Sequence, residues 1–291
     1  MPVLEIKARA KLNLTLDVLG RRPDGFHDLR MVMQSVELCD TIRLETGTGR
    51  PLRMTSNLGF LPCNEKNLAA AAALRLMEAV GADCGGLAID LKKRVPVCAG
   101  MAGGSADAAA VLRGLNALLG LGLSRERLEE IGAQVGSDVP YCVRGGTVLA
   151  EGRGERLTDL PCLPECHAVL CKPGFSISTP ELFGRIDAVR LRCRPDTAGL
   201  LSALRAGDLS GVARRMYNVF ENVLPPRRGA EVTAIKRVLI QHGALGASMS
   251  GTGPTVFGLF DSREAAQRAY AELRENHRES FLTEIAGPEQ L

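Results

Sequence analysis

Residues 96–107 read Pro96-Val97-Cys98-Ala99-Gly100-Met101-Ala102-Gly103-Gly104-Ser105-Ala106-Asp107. This glycine-rich run follows a predicted strand over residues 87–91 and precedes an alanine-rich helix predicted from about 105 to 119. Small residues let a backbone wrap closely around a ligand, and the N–H groups and dipole at the start of a helix favour an anion. The run is a candidate phosphate-binding loop, although a tight turn before a serine-capped helix would have the same composition.

Two better-known nucleotide-binding loops do not fit this run. A Walker A loop needs Lys-Ser or Lys-Thr after its glycines, and the dinucleotide fingerprint is G-x-G-x-x-G; neither is present here. A second glycine cluster, Ser-Met-Ser-Gly-Thr-Gly-Pro, spans residues 248–254. A strand rather than a helix is predicted after it, so the helix-dipole argument does not apply, and the cluster alone predicts a hairpin turn.

The chain before the loop predicts mostly strands. Residues 11–18 alternate strictly between apolar and polar, which predicts a half-buried strand. The predicted core face carries Leu12, Leu14, Leu16 and Val18, and the opposite face carries Lys11, Asn13, Thr15 and Asp17. Further strands are predicted over 29–38, 42–45 and 52–55, and a helix over 67–80 that ends at Gly81.

The chain after the loop predicts a second unit. Ser124 is predicted to cap a helix that runs to about 134, and residues 147–151 with 156–157 predict a hairpin. The proline-containing stretch 159–165 is the predicted domain boundary, which gives domains 1–160 and 161–291. Beyond it, a strand is predicted over 168–171 and a helix with Thr179 as its cap and Pro180 at its first position.

Three more helices are predicted near 196–206, 208–222 and 229–242. The last part of the chain predicts a strand, the glycine turn, a strand over 255–260, a helix over 262–276 and a strand over 281–285. This order of elements predicts a two-domain α+β protein.

The composition of the chain limits the classes of protein to which it could belong. The chain has 291 residues, is 45% hydrophobic and carries a net charge of +3. Its short arginine clusters are not interleaved with aromatic residues, which favours a solvated face over a nucleic-acid site. The longest apolar run, 68–74, is too short to span a bilayer, and the basic start does not read as a signal peptide. We therefore expect a soluble cytoplasmic protein that binds neither nucleic acid nor membrane.

The nine cysteines are scattered, and no C-x-x-C pair occurs. The densest group is Cys162, Cys166, His167 and Cys171, whose spacing is not that of a common zinc ribbon. Free thiols in a reducing compartment are favoured, with a metal site as the alternative.

Three polar residues have both a plain and a functional explanation. Lys11 lies in an apolar strand and would either extend to solvent or serve a site. Asp138, within Gly-Ser-Asp-Val-Pro, would either cap a short helix or act in chemistry. His27 follows the turn 22–25 and would be either a surface residue or a ligand contact.

Together, and in this order, these features resemble the three signature motifs of the GHMP kinases. The resemblance runs from about residue 8 to residue 260. It implies an N-terminal ribosomal-protein-S5-like domain, a C-terminal ferredoxin-like α/β sandwich, and ATP-dependent phosphorylation of a small molecule. Ala106 stands where a second serine is frequent in these kinases, which leaves Ser105 as the hydroxyl at that end of the loop.

A finer resemblance concerns residues 10–14, the Asp-Gly-Phe-His element 24–27 and residues 178–183. These are similar to the branch of the family that phosphorylates the 2-hydroxyl of 4-diphosphocytidyl-2-C-methyl-D-erythritol in the non-mevalonate isoprenoid pathway. Phe26 stands where tyrosine is frequent in that branch, and Ser178 replaces a proline. The alternatives are a mevalonate- or homoserine-type GHMP kinase, and a non-catalytic nucleotide-binding relative, which would be expected to lack Lys11, Asp138 or Ser105.

The resemblance implies a role for each site residue. Lys11 and Asp138 would be catalytic. Residues 96–106 would hold the phosphates of ATP, with Asn67 and Lys93 near the adenine. Mg²⁺ would be held through ATP near Ser105 rather than by the protein alone. The acceptor would be lined by Asn13, His27 and Thr179, and its cytosine would be sandwiched by Phe26 and Phe183. The turn 248–253 would close over phosphates. A monomer or homodimer is expected.

Overall fold

The structure is a computed structural model and describes residues 2–81 and 84–290. It contains a seven-stranded sheet and a four-stranded sheet, each covered by helices. Within the described ranges, every helix is too short or too polar to cross a lipid bilayer. The predicted α+β fold class is confirmed.

The described part of the first half of the chain forms six strands and four helices. The strands are β1 Val3–Arg21, β2 His27–Thr46, β3 Arg53–Ser56, β4 Leu87–Lys92, β5 Thr147–Gly152 and β6 Arg156–Asp159. The helices are α1 Leu68–Val80, α2 Gly103–Leu118, α3 Arg125–Ala133 and α4 Val139–Arg144. The order in the sheet is β3-β4-β2-β1, and β5 pairs with β2 and β6.

Local signals in this half predicted several elements well. Ser124 caps α3 by accepting from the Arg127 amide, and Gly81 ends α1 in the left-handed conformation. The predicted hairpin is β5–β6. The separate strand predicted over 42–45 is wrong, because β2 continues without a break to Thr46. Long antiparallel pairing with β1 holds it in one piece.

Strand β1 is buried on both faces rather than one, so the predicted half-buried strand is wrong. Residues 10–18 are all buried. Leu12 and Leu14 pack in one apolar cluster, whereas Leu16 and Val18 pack in another. The register shifts between Asn13 and Thr15, and a bulge of this kind interrupts the alternation of faces. The single core face predicted for these four residues is therefore wrong as well.

Up to residue 290, the second half forms five strands and five helices. The strands are β7 His167–Lys172, β8 Tyr217–Asn218, β9 Gly246–Met249, β10 Val256–Phe260 and β11 Glu279–Glu284. The helices are α5 Thr179–Asp187, α6 Thr197–Arg205, α7 Leu209–Ala213, α8 Pro226–Gln241 and α9 Arg263–Asn276. A 3₁₀ turn spans Val219–Val223. The sheet order is β11-β7-β10-β9.

Two predictions in this half are wrong in detail. The single helix predicted over 208–222 ends at Ala213, because the chain then forms β8, which pairs in parallel with β1. The Asn218 amide donates to the carbonyls of Met249 and Gly251, which ties this strand to the glycine turn. The cap of α5 is Ser178 rather than Thr179, which is already helical, and Ser178 makes no side-chain capping bond.

The second half of the chain contributes two segments to the first half. Strand β8 joins the first sheet beside β1. At the other end, residues 285–288 return to the first half, where Ile285 bridges to Val36 and Pro288 bridges to Gly145. The division of the chain at 160 and 161 stays a prediction, and both crossings lie next to strands that carry the site described below.

Candidate active site

The glycine-rich run connects β4 to α2, and α2 begins without a side-chain cap. Its N-cap residue, Ala102, makes no capping hydrogen bond, and its first turn has no acidic residue. The first N–H groups of a helix have no partner within the helix, so here they are available to an anion. Cys98 and Ala102 have φ of 52° and 54°, the left-handed region. L-residues adopt it at a cost of about 1–2 kcal/mol each.

The two glycine clusters of the sequence are in direct contact. The predicted hairpin turn is confirmed as the β9–β10 connection. Its Ser250 hydroxyl donates to the Gly100 carbonyl at 2.9 Å. A Cβ atom on Gly100 would lie 2.1 Å from the Ser250 carbonyl oxygen, so only glycine fits. The contact joins the second half of the chain to the loop at the head of α2.

Lys11 is a buried residue of the site, and the solvent explanation for it is wrong. Its side chain is 5% exposed. The ammonium donates to Asn13 Oδ1 at 2.6 Å and to the Gly100 carbonyl at 3.3 Å. Asp138 Oδ2 lies 3.9 Å from the same nitrogen. Lys11 thus links the floor of the site in β1 to the glycine loop.

Asp138 occupies the N-cap position of α4, but its side chain makes no capping hydrogen bond. The helix-cap explanation for this carboxylate is therefore wrong. The side chain is 36% exposed, so one side of it faces the open site. Just before it, a Cβ atom on Gly136 would lie 4.0 Å from Ser105 Oγ. The backbone just before Asp138 therefore passes close to Ser105 near the start of α2, while the Asp138 carboxylate itself lies beside Lys11.

Asn13 holds Lys11 in place. It is fully buried, its Oδ1 accepts from Lys11, and its Nδ2 points to the Met31 sulfur at 3.4 Å. Its backbone amide donates to the Ser250 hydroxyl at 3.2 Å. The direct contact with an acceptor that was predicted for Asn13 stays a prediction.

The predicted acceptor residues form an aromatic cluster. His27 stacks on Phe183 with ring centroids 4.5 Å apart, and Phe220 meets Phe183 edge-on at 5.0 Å. The His27 Nε2 atom lies 2.8 Å from Asp187 Oδ1. One face of Phe183 is thus covered by His27. A pyrimidine stacked on that face would have to displace the imidazole.

Phe26 directly precedes His27 in the chain and is 50% exposed. The Arg153 guanidinium covers its ring at 4.1 Å from the centroid. Thr179 Oγ1 lies 3.0 Å from Thr252 Oγ1, which joins the start of α5 to the glycine turn. Thr252 belongs to the glycine turn that the sequence analysis singled out, whereas Arg153 was missed, since no motif marks this exposed residue of a turn.

The two residues predicted near adenine have other contacts. Asn67 caps α1 through Oδ1, and its Nδ2 donates to the Pro62 carbonyl. The Lys93 ammonium is buried beneath the loop, where it contacts Asp40 and donates to Asp107 Oδ2 at 2.7 Å. These positions support the loop and the helix that follows it. The contacts with adenine stay predictions.

The Lys93 cluster carries one more negative than positive charge. Burial raises the pKa of Asp107 to about 7, and the neighbouring Asp40 adds to the rise while Lys93 opposes it. Asp107 Oδ1 is buried without a hydrogen-bond partner. Burial opposes the charge on Lys93, but the two carboxylates outweigh it and raise its pKa. A single ammonium therefore does not fully compensate two carboxylates.

This cluster should make stability depend on pH. The pKa of Asp107 is raised in the folded chain, so the folded state keeps the proton up to about pH 7 and the unfolded state releases it near its ordinary value of 3.8. Stability contributed here is therefore present below about pH 4 and is lost as pH rises to about 7. Asp107→Asn stays neutral and can still accept from Lys93. We expect its Tm advantage over wild type to grow from pH 5 to pH 8 by about 2 °C or more, the equivalent of ~1 kcal/mol in a chain of this size.

The measurement is thermal unfolding of wild type and Asp107→Asn at both pH values, with the exposed Asp261→Asn as control. A constant Tm difference between pH 5 and pH 8 would contradict the predicted titration of Asp107.

The thiols show no metal arrangement. In the described ranges, no group of three or more His, Cys, Asp or Glu side chains could hold a metal ion. Cys166 and Cys171 are buried, whereas Cys162 is exposed, and all three are free. Burial raises the pKa of Cys166 to about 12 and that of Cys171 to about 11.

Two family models match the chain. Residues 67–146 match the GHMP kinases N terminal domain, and residues 200–279 match the GHMP kinases C terminal domain. The chain belongs to the GHMP kinase family. It is an ATP-dependent kinase with an alcohol as acceptor. The predicted family and fold are confirmed.

Similar proteins indicate a particular branch of the GHMP kinase family. A 4-diphosphocytidyl-2-C-methyl-D-erythritol kinase of Lachnospira eligens is 43% identical over 290 residues, which cover 99% of this chain and 100% of that protein. A crystal structure of 4-(cytidine 5'-diphospho)-2C-methyl-D-erythritol kinase is 32% identical, with a TM-score of 0.83 over 98% of this chain and 100% of that one. A homoserine kinase from Cytophaga hutchinsonii is 24% identical, with a TM-score of 0.76 over 100% and 96% of the two chains, and shares the fold.

Proposed function

We propose that this GHMP kinase transfers the γ-phosphoryl group of ATP to the 2-hydroxyl of 4-diphosphocytidyl-2-C-methyl-D-erythritol, a step toward isoprenoid precursors. One structural observation supports the assignment of phosphoryl transfer. A buried lysine and a half-exposed aspartate lie 3.9 Å apart beside an uncapped helix start. The named relative at 43% identity over nearly the whole chain supports the choice of acceptor.

The three parts of this arrangement match the three needs of phosphoryl transfer. The first N–H groups of α2 bind phosphate oxygens and position them. Lys11 stabilises charge on the transferring group and the acceptor oxygen, since its ammonium is fixed by Asn13 and Gly100. Asp138 accepts the hydroxyl proton as that oxygen attacks phosphorus, and its carboxylate is not occupied by a helix cap.

Magnesium neutralises phosphate charge in this class of reaction. We assign the Ser105 hydroxyl and the Asp138 carboxylate as the protein oxygens that face this ion, and no three-residue cluster of acidic, histidine or cysteine side chains that could hold a metal exists in the described ranges. Two oxygen donors suit Mg²⁺, which keeps water and substrate phosphates in most of its coordination sphere. Ser105 is the residue that we assign to this ion, through its contact with MgATP.

The cytidine end of the acceptor is assigned to the aromatic cluster. Phe26 is the exposed ring, and it is rigidified on one side by Arg153. Phe183 and His27 are the other two rings that we assign to this end of the acceptor, and Asp187 orients His27. Because Phe183 is already stacked, we assign Phe26 as the ring that stacks on cytosine, with Phe183 as its partner after His27 shifts. A cytoplasmic location is proposed with this function, where ATP is available.

Phe26→Ala tests the acceptor assignment. Stacking of a base on an aromatic side chain is worth about 1–3 kcal/mol, so the KM for the cytidyl acceptor should rise about ten- to a hundredfold. The KM for ATP and the Tm should change little, since the ring is half exposed. Phe220→Ala is the matched control, because that ring is buried and its loss should lower the Tm. An unchanged acceptor KM in a stable Phe26→Ala protein would contradict the cytosine assignment.

A substrate panel tests the function as a whole. Purified chain with MgATP is offered the cytidyl diphosphate alcohol, mevalonate and homoserine, and ADP release and the phosphorylated product are both measured. Turnover of the cytidyl substrate alone is expected. Turnover of mevalonate or homoserine would favour another branch of the family, and ATP binding without turnover of any acceptor would favour a non-catalytic relative.

A further inference from the structure

The last described residues form a buried connection that the proposed mechanism does not use. After β11, the Ala286 amide donates to the Ser35 carbonyl at 2.9 Å, and Gln34 Nε2 donates to the Ala286 carbonyl at 2.8 Å. Ser35 is the residue paired with Lys11 across β1 and β2. The returning segment therefore lies against the strand pair that holds the lysine of the site.

Glu289 connects this segment to other elements of the fold by hydrogen bonds. It is 5% exposed. Its Oε2 accepts from Arg9 Nη1 at 2.9 Å and from Arg113 Nη1 at 2.7 Å. Its backbone amide donates to the Arg144 carbonyl at 2.9 Å. One residue thus contacts three separate elements.

Each of those elements carries one part of the site. Arg9 is in β1, two residues before Lys11. Arg113 is in α2, the helix whose first turn follows the glycine loop. Arg144 ends α4, the helix that begins at Asp138. Helices and strands transmit displacement along their length because their backbones are hydrogen-bonded throughout. A shift at Glu289 would therefore move the lysine, the phosphate loop and the aspartate relative to one another.

A second set of contacts reinforces α4 at the same place. The Tyr141 hydroxyl lies 3.0 Å from Ser35 Oγ and donates to the Gly146 carbonyl at 2.9 Å. Ser35 is held on its other side by Ala286. The returning segment and α4 are thus connected through backbone and side chain together.

A contribution to the stability of the fold does not by itself explain why the charged side chains of Arg9, Arg113 and Glu289 are placed together. The buried Arg113 and Glu289 carry a large desolvation cost, to which the partly buried Arg9 adds, and well-packed apolar residues of similar volume are often as stable or more so. Arg113 Nε is also buried without a partner. What an apolar replacement would lose is the fixed geometry of directional bonds from one carboxylate to two elements.

We propose that Glu289 is a positioning residue, which sets the relative placement of Lys11, Asp138 and the glycine loop for phosphoryl transfer. This inference rests on the roles assigned to those groups under the proposed function. Glu289 touches neither ATP nor acceptor, so its loss should affect turnover and leave ligand affinity largely intact. Misplacement of reacting groups by about 1 Å can cost ~10²-fold in rate.

The test compares Glu289→Asp with wild type. Aspartate keeps the charge that neutralises the arginines but retracts it by one methylene, so the carboxylate no longer reaches both at hydrogen-bond distance. We expect kcat to fall by about tenfold or more, with KM for ATP and for the cytidyl acceptor within about threefold of wild type. Glu289→Gln is the stronger variant, because it removes the charge that faces the buried Arg113 while Arg9 keeps its pair with Glu37, and its kcat should fall at least as far.

Two controls separate positioning from lost stability. Glu37 is the other carboxylate that accepts from Arg9, and it does not take part in the bonds that Glu289 makes to α2 and α4. Glu37→Asp shortens this side chain by the same methylene and should keep kcat. Val232→Ala creates a small cavity at a buried residue of α8, a helix that carries none of the groups assigned to the chemistry, and its kcat is compared at a temperature equally far below its own Tm. Both should retain turnover near that of wild type.

The outcomes are distinct. A fall in kcat for Glu289→Asp that neither control shows supports the inference. A kcat within about twofold of wild type, or an equal fall in Val232→Ala, overturns it. In the same assays, turnover by wild type that is lost in Asp138→Asn upholds the proposed function whichever way the Glu289 comparison ends. Absence of turnover by wild type with the cytidyl acceptor would instead be a failure of the proposed function.

Discussion

Asp138→Asn is expected to fold normally and to lose about 10²–10⁴-fold in kcat, the usual cost of removing a general base. The amide is nearly isosteric with the carboxylate. The side chain makes no capping bond to α4, so no helix contact is lost. Its ion pair with Lys11 is long, at 3.9 Å, and half open to solvent, so the loss of that pair should change stability little.

The measurement is steady-state turnover together with equilibrium binding of ATP. Asp208→Asn is the matched control, since Asp208 is also an N-cap aspartate but does bond the Gly211 amide and lies outside the site. It should retain turnover. If Asp138→Asn kept near-wild-type kcat with either substrate saturating, Asp138 would have no role as the base and the mechanism would need a different proton acceptor.

Gly100→Ala is expected to lose both activity and stability. The new Cβ would lie 2.1 Å from the Ser250 carbonyl oxygen and 2.9 Å from the Gly253 nitrogen, and both of these are backbone atoms that cannot rotate away. The φ of 73° adds backbone strain. Together these should cost about 2–5 kcal/mol. Separation of the loop from the turn would also move the Gly100 carbonyl that orients Lys11, so kcat should fall by ~10².

Gly120→Ala isolates the steric part of this effect. Gly120 has a similar φ of 61°, but no atom lies within 4 Å of the place that its Cβ would take. It should therefore show only the backbone strain, about 1–2 kcal/mol, and keep full turnover. Chemical denaturation and kcat are measured for both variants. Equal losses in the two would mean that backbone strain, rather than contact with the glycine turn, makes glycine necessary at position 100.

Features with a local cause could be predicted from the sequence. Ser124 as a cap, Gly81 as a helix end and the β9–β10 turn each depend on neighbours within a few residues. The glycine loop also has a local signature, because small residues and the start of a helix adjoin in the chain. Lys11 was noticed as an oddity in an apolar strand, and only its environment in the folded chain separates a buried site residue from a solvent lysine.

Features set by distant contacts could not be predicted. The bulge in β1 depends on its register with β2, which alternation in one strand does not reveal. The buried pairing of Lys93 with Asp40 was missed, because Asp40 lies 53 residues away in the chain. The stacking of His27 on Phe183 joins segments more than 150 residues apart and changes which aromatic face is open. Glu289 carried no signal, since a glutamate is usually solvated.

The contact between Gly100 and the turn at Ser250 and Gly251 also bears on how this chain can diverge. Most of the atoms that meet there belong to the main chain. A side-chain contact can be repaired when a larger residue on one side is matched by a smaller one on the other. No residue is smaller than glycine, so a larger residue on one side of this contact cannot be compensated by a smaller residue on the other side. The two segments can therefore accept substitutions only where their side chains point away from each other. The contact between the halves of the enzyme should be the part of the chain that tolerates substitution least.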